Sequence, residues 1–127
     1  VSLGVNNANY TALGTAGPVA GNYRCKITNA CGITYSDEVQ LTVNTNTSIT
    51  TSPIDIASCE GSDVSFSVVA AGTALTYAWY KDAIAIVPPE TNSSLNLIGI
   101  VAGDAGSYNC IVTGTCGIVP SAPATLN

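Results

Sequence analysis

The five cysteines are the residues of this chain that could form cross-links, bind a metal or act as nucleophiles, and four of them are regularly spaced. Cys25 with Cys31, and Cys110 with Cys116, form two Cys-x5-Cys pairs, while Cys59 stands alone. Zinc sites combine cysteine and histidine ligands at shorter spacings such as Cys-x2-Cys, and this chain has no histidine. We therefore predict no metal site and expect disulfides, at least one of them involving Cys31 or Cys116.

Acid–base catalysis lacks the groups that it needs. Without histidine, a serine or cysteine nucleophile has no ordinary general base beside it. The eight acidic residues are scattered, and the adjacent Asp37 and Glu38 would point to opposite faces of a strand. Hydrolysis by paired carboxylates requires two acids that converge on one substrate. The chain is therefore predicted not to be an enzyme and to need no cofactor, and weak Ca²⁺ binding at a domain junction is the one ion site left open.

The composition of the chain argues against some classes of partner and favours one cellular location. The formal net charge is −5 with three basic residues, which argues against a phosphate-binding basic patch and hence against nucleic acid. No apolar stretch approaches the roughly 20 residues that a membrane span needs. Five cysteines in a lysine-poor chain are typical of an oxidising setting. An extracellular location, at the cell surface or secreted, is therefore predicted.

An internal repeat organises the elements that carry these residues. Residues 21–36 and 106–121 align without a gap at a constant offset of 85 residues. The matched pairs include Tyr23 and Tyr108, Cys25 and Cys110, and Cys31 and Cys116. One unit is therefore about 85 residues long. Residues 49–127 form a nearly complete unit, residues 1–43 form the C-terminal half of another, and residues 44–48 form a polar linker.

A period of two residues predicts strands throughout the chain. Apolar side chains alternate with polar ones, which places one set on a buried face. These sets are Val64, Phe66 and Val68; Leu75, Tyr77 and Trp79; and Tyr108, Cys110 and Val112. About seven such short strands separated by turns predict an antiparallel sandwich.

The stretch from Leu95 to Cys110 resembles the E-to-F region of immunoglobulin-like domains. It carries the pattern Leu95-x-Leu97-x-x-Ile100-x-x-x-Asp104-x-Gly106-x-Tyr108-x-Cys110. Trp79 stands where these domains have their strand-C tryptophan, and Tyr108 matches their tyrosine corner. The resemblance implies an all-β, antiparallel immunoglobulin-like β-sandwich, with about strands E, F and G in residues 1–43. It gives structural roles to Trp79, Val68, Asp104, Tyr108 and Cys110, and to Tyr23 and Cys25 in the first unit.

Two departures from the usual pattern affect the cysteines. Val68 occupies the strand-B cysteine position, so the ordinary disulfide from strand B to strand F cannot form, and Val19 replaces the corner aspartate in the first unit. Cys59 and Cys116, within Cys-Glu-Gly-Ser and Thr-Cys-Gly-Ile, resemble those of tandem bacterial repeats of Bacteroidota cell-surface and secreted proteins, of the gliding or adhesin type.

Three uses of the cysteines in the second unit remain open. Cys110 and Cys116 would bridge a hairpin with a three-residue loop if Gly114 were left-handed. The family frame instead makes Gly117 left-handed and moves Cys116 into the turn. Pairing of Cys59 with Cys116 is implied by the bacterial resemblance, although the topology of the fold places those two at opposite ends. Cys110 also suits a buried thiol.

The half unit is expected to remain open. Without strands A, B and C, one face of residues 1–43 has no opposing sheet, and a two-stranded ribbon is only marginally stable in water. The missing strands are expected from an upstream segment, from a second molecule, or through packing on the second unit, with the first arrangement favoured.

The functional prediction is a non-catalytic structural or adhesive repeat module of a large extracellular or cell-surface protein. Its expected partners are neighbouring repeats of the same polypeptide and surface glycans or proteins. The alternative is a spacer or carbohydrate-binding accessory module of a secreted multidomain enzyme. Tyr80, on the outer face of strand C, is the candidate ligand contact, since aromatic side chains are enriched at binding surfaces.

Overall fold

A computed structural model describes residues 7–11 and 19–127 of the chain, which divides into two compact units, Val1–Val43 and Asn44–Asn127. Paired strands in both units are antiparallel, apart from one isolated parallel bridge, and the helical structure of the described residues is one short 3-10 helix, Ala102–Asp104. The predicted all-β, antiparallel sandwich is confirmed. No helix within the described ranges is long and apolar enough to cross a membrane.

The described residues of the first unit contain four short strands in two ribbons. They are β1 (Gly21–Tyr23), β2 (Lys26–Asn29), β3 (Gly32–Tyr35) and β4 (Val39–Leu41). Strand β1 pairs with β4, and β2 pairs with β3 across a tight turn. These strands occupy the positions that the repeat assigns to the C-terminal part of a unit.

The second unit contains nine strands. They are β5 (Ser48–Thr51), β6 (Val64–Ser67), β7 (Val69–Ala71), β8 (Thr76–Lys81), β9 (Ile84–Ala85), β10 (Ser94–Leu97), β11 (Gly106–Gly114), β12 (Gly117–Pro120) and β13 (Ala124–Leu126). One sheet has β11 at its centre, with β8 and then β9 on one side and both β12 and β13 on the other.

The other layer is formed by β6 with β10 and by β7 with β5. Only Val68 separates β6 from β7, and its backbone N–H donates to the carbonyl oxygen of Ser93 at 2.9 Å. The inward side chains of the two layers form one core, because alternation places every second residue of each strand between the sheets. The buried hydrophobic members are Val64, Phe66, Val68, Trp79, Leu95, Ile100, Tyr108, Cys110, Val112, Ala124 and Leu126.

The segment predicted as a linker belongs in part to the second unit. Strand β5 begins at Ser48, and the backbone N–H of Thr45 donates to Oγ1 of Thr73 at 2.9 Å. Polar, β-branched residues suit an edge strand as well as a linker, so composition alone does not fix where the linker ends.

Candidate functional site

Three of the residues singled out for a structural role lie in the core around the pairing of β8 with β11. Trp79 and Cys110 are directly opposite each other in the register of these strands, and both are buried, as is Val68 on the other layer. The indole N–H of Trp79 donates to the carbonyl oxygen of Asn92 at 2.9 Å. The tryptophan therefore contributes a large apolar surface to the core without leaving its polar group unpaired.

The tyrosine corner is present in both units. The Tyr108 hydroxyl donates to the Asp104 carbonyl oxygen at 2.6 Å, and the Tyr23 hydroxyl donates to the Val19 carbonyl oxygen at 2.5 Å. Both bonds span four residues and use a backbone acceptor, so the change from aspartate to valine leaves the corner intact. The Asp104 side chain has a separate task, since its Oδ2 accepts the Val101 N–H at 2.9 Å and caps the 3-10 turn.

A serine beside each inner cysteine is the part of the repeat whose role the sequence did not reveal. The Cys110 N–H donates to Oγ of Ser121 at 3.0 Å, and the Ser121 N–H donates to the Cys110 carbonyl oxygen at 2.8 Å. Cys25 and Ser36 make the same two bonds, at 2.8 and 2.9 Å. The alignment of Ser36 with Ser121 in the repeat was the sequence feature that could have indicated this role. In each unit the serine hydroxyl oxygen accepts the cysteine N–H in place of a carbonyl oxygen of the neighbouring strand, at the point where that strand ends.

Cys25, Cys31, Cys59, Cys110 and Cys116 all lie in the described residues, and all five carry free thiols. The register pairs Gly114 with Gly117, so Thr115 and Cys116 form a two-residue turn and Cys110 is opposite Ser121. A hairpin disulfide between Cys110 and Cys116 is therefore absent, and the expectation of a bridge using Cys31 or Cys116 is not met in this structure. Gly117 has φ 138°, so it is this glycine that takes the positive φ.

Cys59 lies at the other end of the second unit from Cys116. Its neighbour Ser58 donates to the Asn127 carbonyl oxygen at 3.0 Å, whereas Thr115 donates to the Thr73 carbonyl oxygen at 3.0 Å. These two ends are separated by the length of β11, which at about 3.3 Å per residue is roughly 27 Å. Pairing of Cys59 with Cys116 inside one unit is therefore wrong, because a disulfide needs Cα atoms within about 7 Å.

Burial makes the thiol of Cys110 unreactive. It is fully buried, and burial raises the pKa of its thiol, with the backbone of Ala78 opposing the shift through a hydrogen bond. Because the thiolate is the reactive form, this cysteine acts as a small hydrophobic side chain and not as a nucleophile.

Five carboxylates of the second unit accept backbone N–H groups. Four of these donors lie between residues 99 and 107, at the end of the sandwich where Cys59 lies. The pairs are Asp55 with Thr125 at 2.7 Å, Glu60 with Ala102 at 2.9 Å, Asp63 with Gly99 at 2.8 Å, Asp82 with Ser107 at 2.9 Å and Asp104 with Val101 at 2.9 Å. These carboxylates tie loops to strands. Across the described ranges, no three Asp, Glu, Cys or His residues gather where they could hold a metal ion.

Tyr80, the candidate ligand contact, is half-buried. It lies between Asn109 of β11 and Ala85 of β9 in the register of the sheet. The short strand β9 therefore flanks it on the outer edge of the sheet.

The chain is similar in sequence to animal proteins that contain immunoglobulin-like domains. No protein-family model matches it. It is 30% identical over 116 residues to leucine-rich repeats and immunoglobulin-like domains protein 3 of Mus musculus and of Homo sapiens, covering 84% of this chain. The chain spans about a tenth of the length of these curated relatives (10%). They are animal proteins, so they give no support to a Bacteroidota origin.

Solved structures give the same fold. The I-band fragment I67–I69 of titin has a TM-score of 0.70 at 20% identity over 85% of this chain and 41% of that one. The extracellular domains 3–5 of Drosophila OTK have a TM-score of 0.57 at 23% identity, over 84% of this chain and 39% of that one. Titin domain M7 has a TM-score of 0.59 at 26% identity, over 68% of this chain and 96% of that one. The single titin domain M7 is thus matched over almost its whole length, whereas the multidomain fragments of titin and OTK match a larger share of this chain.

Proposed function

We propose, from the immunoglobulin-like fold of this chain, that it is a non-catalytic structural and adhesive repeat module of a large extracellular or cell-surface protein. In this proposal residues 49–127 are one immunoglobulin-like domain and residues 1–43 are the C-terminal half, about strands E, F and G, of another. The coverage of the three-domain titin fragment supports a tandem arrangement, since this chain matches it beyond the length that matches the single domain M7.

The observation that carries the mechanical role is the pairing of the beginning and the end of the second unit. Ile56 bridges Leu126 in parallel. Ile56 donates to Thr125 at 2.9 Å, Asn127 donates to Ile56 at 3.0 Å, and Ser58 donates to Asn127 at 3.0 Å. In a parallel pair, pulling the two chain ends apart loads these bonds together in shear instead of one after another. Such an arrangement suits a module that transmits tension along a tandem array.

The extracellular location rests on composition and on one kind of neighbour. The cysteine content and low charge favour an oxidising compartment, although all five thiols are free in this structure, and the matched OTK domains are extracellular ones. A bacterial source would rest on the motifs around Cys59 and Cys116 alone. Neighbouring repeats are the partners that the proposal requires, and surface glycans or proteins are the ligands that an adhesive role adds.

Single-molecule force spectroscopy of the full chain tests the mechanical role. We expect one dominant unfolding event that adds roughly 25–27 nm of contour, because residues 44–127 extend to about 28–30 nm at roughly 3.3–3.6 Å per residue and the folded unit already spans about 3 nm. Ile56→Pro removes the N–H that bonds to Thr125 and is expected to lower the unfolding force by at least a third. Ile54→Pro, at a neighbour whose side chain is 76% exposed, is the matched control. Equal forces for the two variants would refute the shear argument.

The accessory-module alternative has its own test. Polysaccharide pull-down with the full chain, compared with Tyr80→Ala, would favour that alternative if the wild type bound and the variant did not. The half-buried position of Tyr80 between β11 and β9 leads us to expect no binding that depends on Tyr80.

A further inference from the structure

The outer face of the first unit carries two of the three basic residues of the chain, around one aromatic ring. Lys26 of β2 is directly opposite Tyr35 of β3, and the guanidinium carbon of Arg24 lies 4.4 Å from the centroid of the Tyr35 ring. All three side chains are exposed. Since Cys25 matches the inward-facing Cys110, alternation along the strand directs its two basic neighbours outward. We call Arg24, Lys26 and Tyr35 the basic patch.

The second unit builds the same hairpin without these charges. At the offset of 85 residues the counterparts of the basic patch are Asn109, Ile111 and Pro120. Ile111 is directly opposite Pro120, so the register of the hairpin is the same in both units. The counterparts face away from the core, because the buried Cys110 lies between the first two of them. The fold therefore does not require a basic patch, and another role must account for it.

The cations of the basic patch are available to a ligand. Residues 1–43 contain two basic and two acidic residues, whereas residues 44–127 contain one basic and six acidic residues. Of the two carboxylates in the first unit, that of Glu38 accepts the side-chain N–H of Asn22 at 2.7 Å. Among the residues that the structure describes, no hydrogen bond joins Arg24 or Lys26 to a carboxylate. An anionic group from outside the chain can therefore reach both.

The geometry of Arg24 suits a carboxylate. Its guanidinium lies over the Tyr35 ring, which favours a flat, stacked arrangement and leaves the N–H donors at the edge of the plane. A guanidinium edge matches the two oxygens of a carboxylate in a bidentate pair. Lys26 provides a second positive charge beside the same ring. A chain-like ligand with a carboxylate on successive units would use both cations at once.

We propose that the basic patch binds a linear polysaccharide of uronic acids. The guanidinium of Arg24 donates to one carboxylate, the ammonium of Lys26 binds the carboxylate of a nearby sugar, and Tyr35 is a positioning residue that holds Arg24. One such contact is weak, but a polymer that meets many repeats of a tandem array gains by multivalency. The inference rests on the proposed adhesive function and names the class of glycan that it would use.

An acidic protein fits the patch less well than a polysaccharide does. Protein interfaces take most of their binding energy from side chains that become deeply buried at the centre of the contact. Here the one aromatic side chain has Arg24 over its ring and both cations are exposed. A shallow, charged surface of this kind suits an extended, hydrated polymer.

A second copy of this chain is also a poor occupant, although its second unit is acidic. Five of the six carboxylates of that unit already accept a backbone N–H. They are Asp55, Glu60, Asp63, Asp82 and Asp104. Binding to another copy would compete with the bonds that tie these loops to the strands.

Isothermal titration calorimetry of the full chain with polygalacturonate at low ionic strength tests the proposal. We expect binding that weakens as salt is added, because exposed charges are screened. Arg24→Gln and Lys26→Gln are each expected to weaken binding about fivefold, the upper range for an exposed ion pair. Lys81→Gln makes the same change of charge in the second unit. It is the matched control and is expected to leave the affinity unchanged.

Two substitutions of Tyr35 test its positioning role. Tyr35→Phe keeps a ring beneath the guanidinium and is expected to bind polygalacturonate as the wild type does. Tyr35→Ala removes the ring and is expected to weaken binding, while the charge of the chain stays the same. Equal affinities of the two variants would contradict the positioning role.

Four results would overturn the proposal as a whole. They are no binding of polygalacturonate by the wild type, equal affinity of the wild type and Arg24→Gln, equal binding of dextran sulfate at the same concentration of charge, and tighter binding of polyglutamate. The third would indicate general attraction to polyanions and the fourth an acidic peptide. Self-association of the chain that Arg24→Gln abolishes would likewise replace the polysaccharide with a second copy.

A transfer of the patch keeps the test decisive if the variants disturb the first unit. Asn109→Arg, Ile111→Lys and Pro120→Tyr are introduced together into a chain that already carries Arg24→Gln and Lys26→Gln. Restored binding of polygalacturonate supports the proposal, and a folded chain that does not bind contradicts it. Neither result depends on the unfolding force of the second unit, so this inference and the mechanical role can fail separately.

Discussion

Strands β1 to β4 of the first unit and strands β11 to β13 of the second share their hydrogen bonds but not their burial. The tyrosine corner, the cysteine–serine pair and the glycine at the turn are repeated in both. Nevertheless Cys25 is exposed and Cys110 is completely buried. The comparison shows that corner and hairpin geometry are encoded within about 23 residues, whereas burial depends on strands that come from elsewhere in the unit.

The largest effect is expected where burial is deepest. Trp79→Ala removes an almost fully buried indole and its bond to Asn92. We expect a loss of about 3–5 kcal/mol in the free energy of unfolding of the second unit. Denaturant titration followed by far-ultraviolet circular dichroism measures it, because that signal reports the strands and not the space left at the substituted side chain. A loss below about 1 kcal/mol would contradict the assigned core.

A matched leucine pair compares the two units directly. Leu126 is 2% exposed, whereas Leu41, at the same position of the repeat, is 36% exposed. We expect Leu126→Ala to cost about 2–5 kcal/mol, and Leu41→Ala to cost less than about 1 kcal/mol because its side chain already contacts water. Equal losses, measured by the same titration for each unit, would mean that the first unit has a closed core after all.

The two tyrosine corners are expected to differ less. Tyr108→Phe removes one hydrogen bond and leaves a buried ring stacked on Phe66 at 4.9 Å. A loss of about 0.5–1.5 kcal/mol is expected for the second unit. Tyr23→Phe is expected to leave the unfolding of the second unit unchanged, and thermal melts of both variants check this. An effect of Tyr23→Phe on the second unit would remove the basis for treating the units separately.

The smallest expected effect is that of alkaline pH on the free energy of unfolding of the second unit. Burial, followed by the nearby carboxylates of Asp104 and Asp82, raises the pKa of Tyr108 above its ordinary value of 10.0. Because the folded state holds the neutral phenol, this contribution to stability is complete below pH 10 and is lost as the pH rises toward the folded pKa. We expect the free energy of unfolding to fall between pH 9 and 11, and to fall less in Tyr108→Phe. The raised pKa of Cys110 acts in the same direction, so a slope remains in the variant, and identical slopes would contradict this role of Tyr108.

The alternation of apolar and polar residues and the internal repeat predicted the strand faces and the tyrosine corners. Alternation identified the inward set of Val64, Phe66 and Val68, and the repeat located both tyrosine corners. These features depend on residues a few positions apart, because a strand presents every second side chain to the same face.

Pairings between distant residues were not predictable in this way. The bonds from Ala102 to Glu60 and from Thr125 to Asp55 join residues 42 and 70 positions apart. Nothing in the immediate neighbourhood of an acidic residue indicates which N–H will face it once the sheets close. The pairing of Cys59 with Cys116 is a different case: the bacterial resemblance implied it, whereas the topology of the fold placed the two cysteines at opposite ends, and the structure agrees with the topology.

Amide hydrogen exchange of the full chain, followed by mass spectrometry, tests the central claim most directly. Peptides from residues 21–43 and 106–127 contain matching hydrogen bonds, so any difference in protection reports the cover over them. We predict that the amides of β11 and β12 exchange only through global unfolding of the second unit, and that those of β2 and β3 exchange at least a hundredfold faster. Equal protection of the two segments would show that the first unit is closed, and would contradict the account of an open half unit beside a complete one.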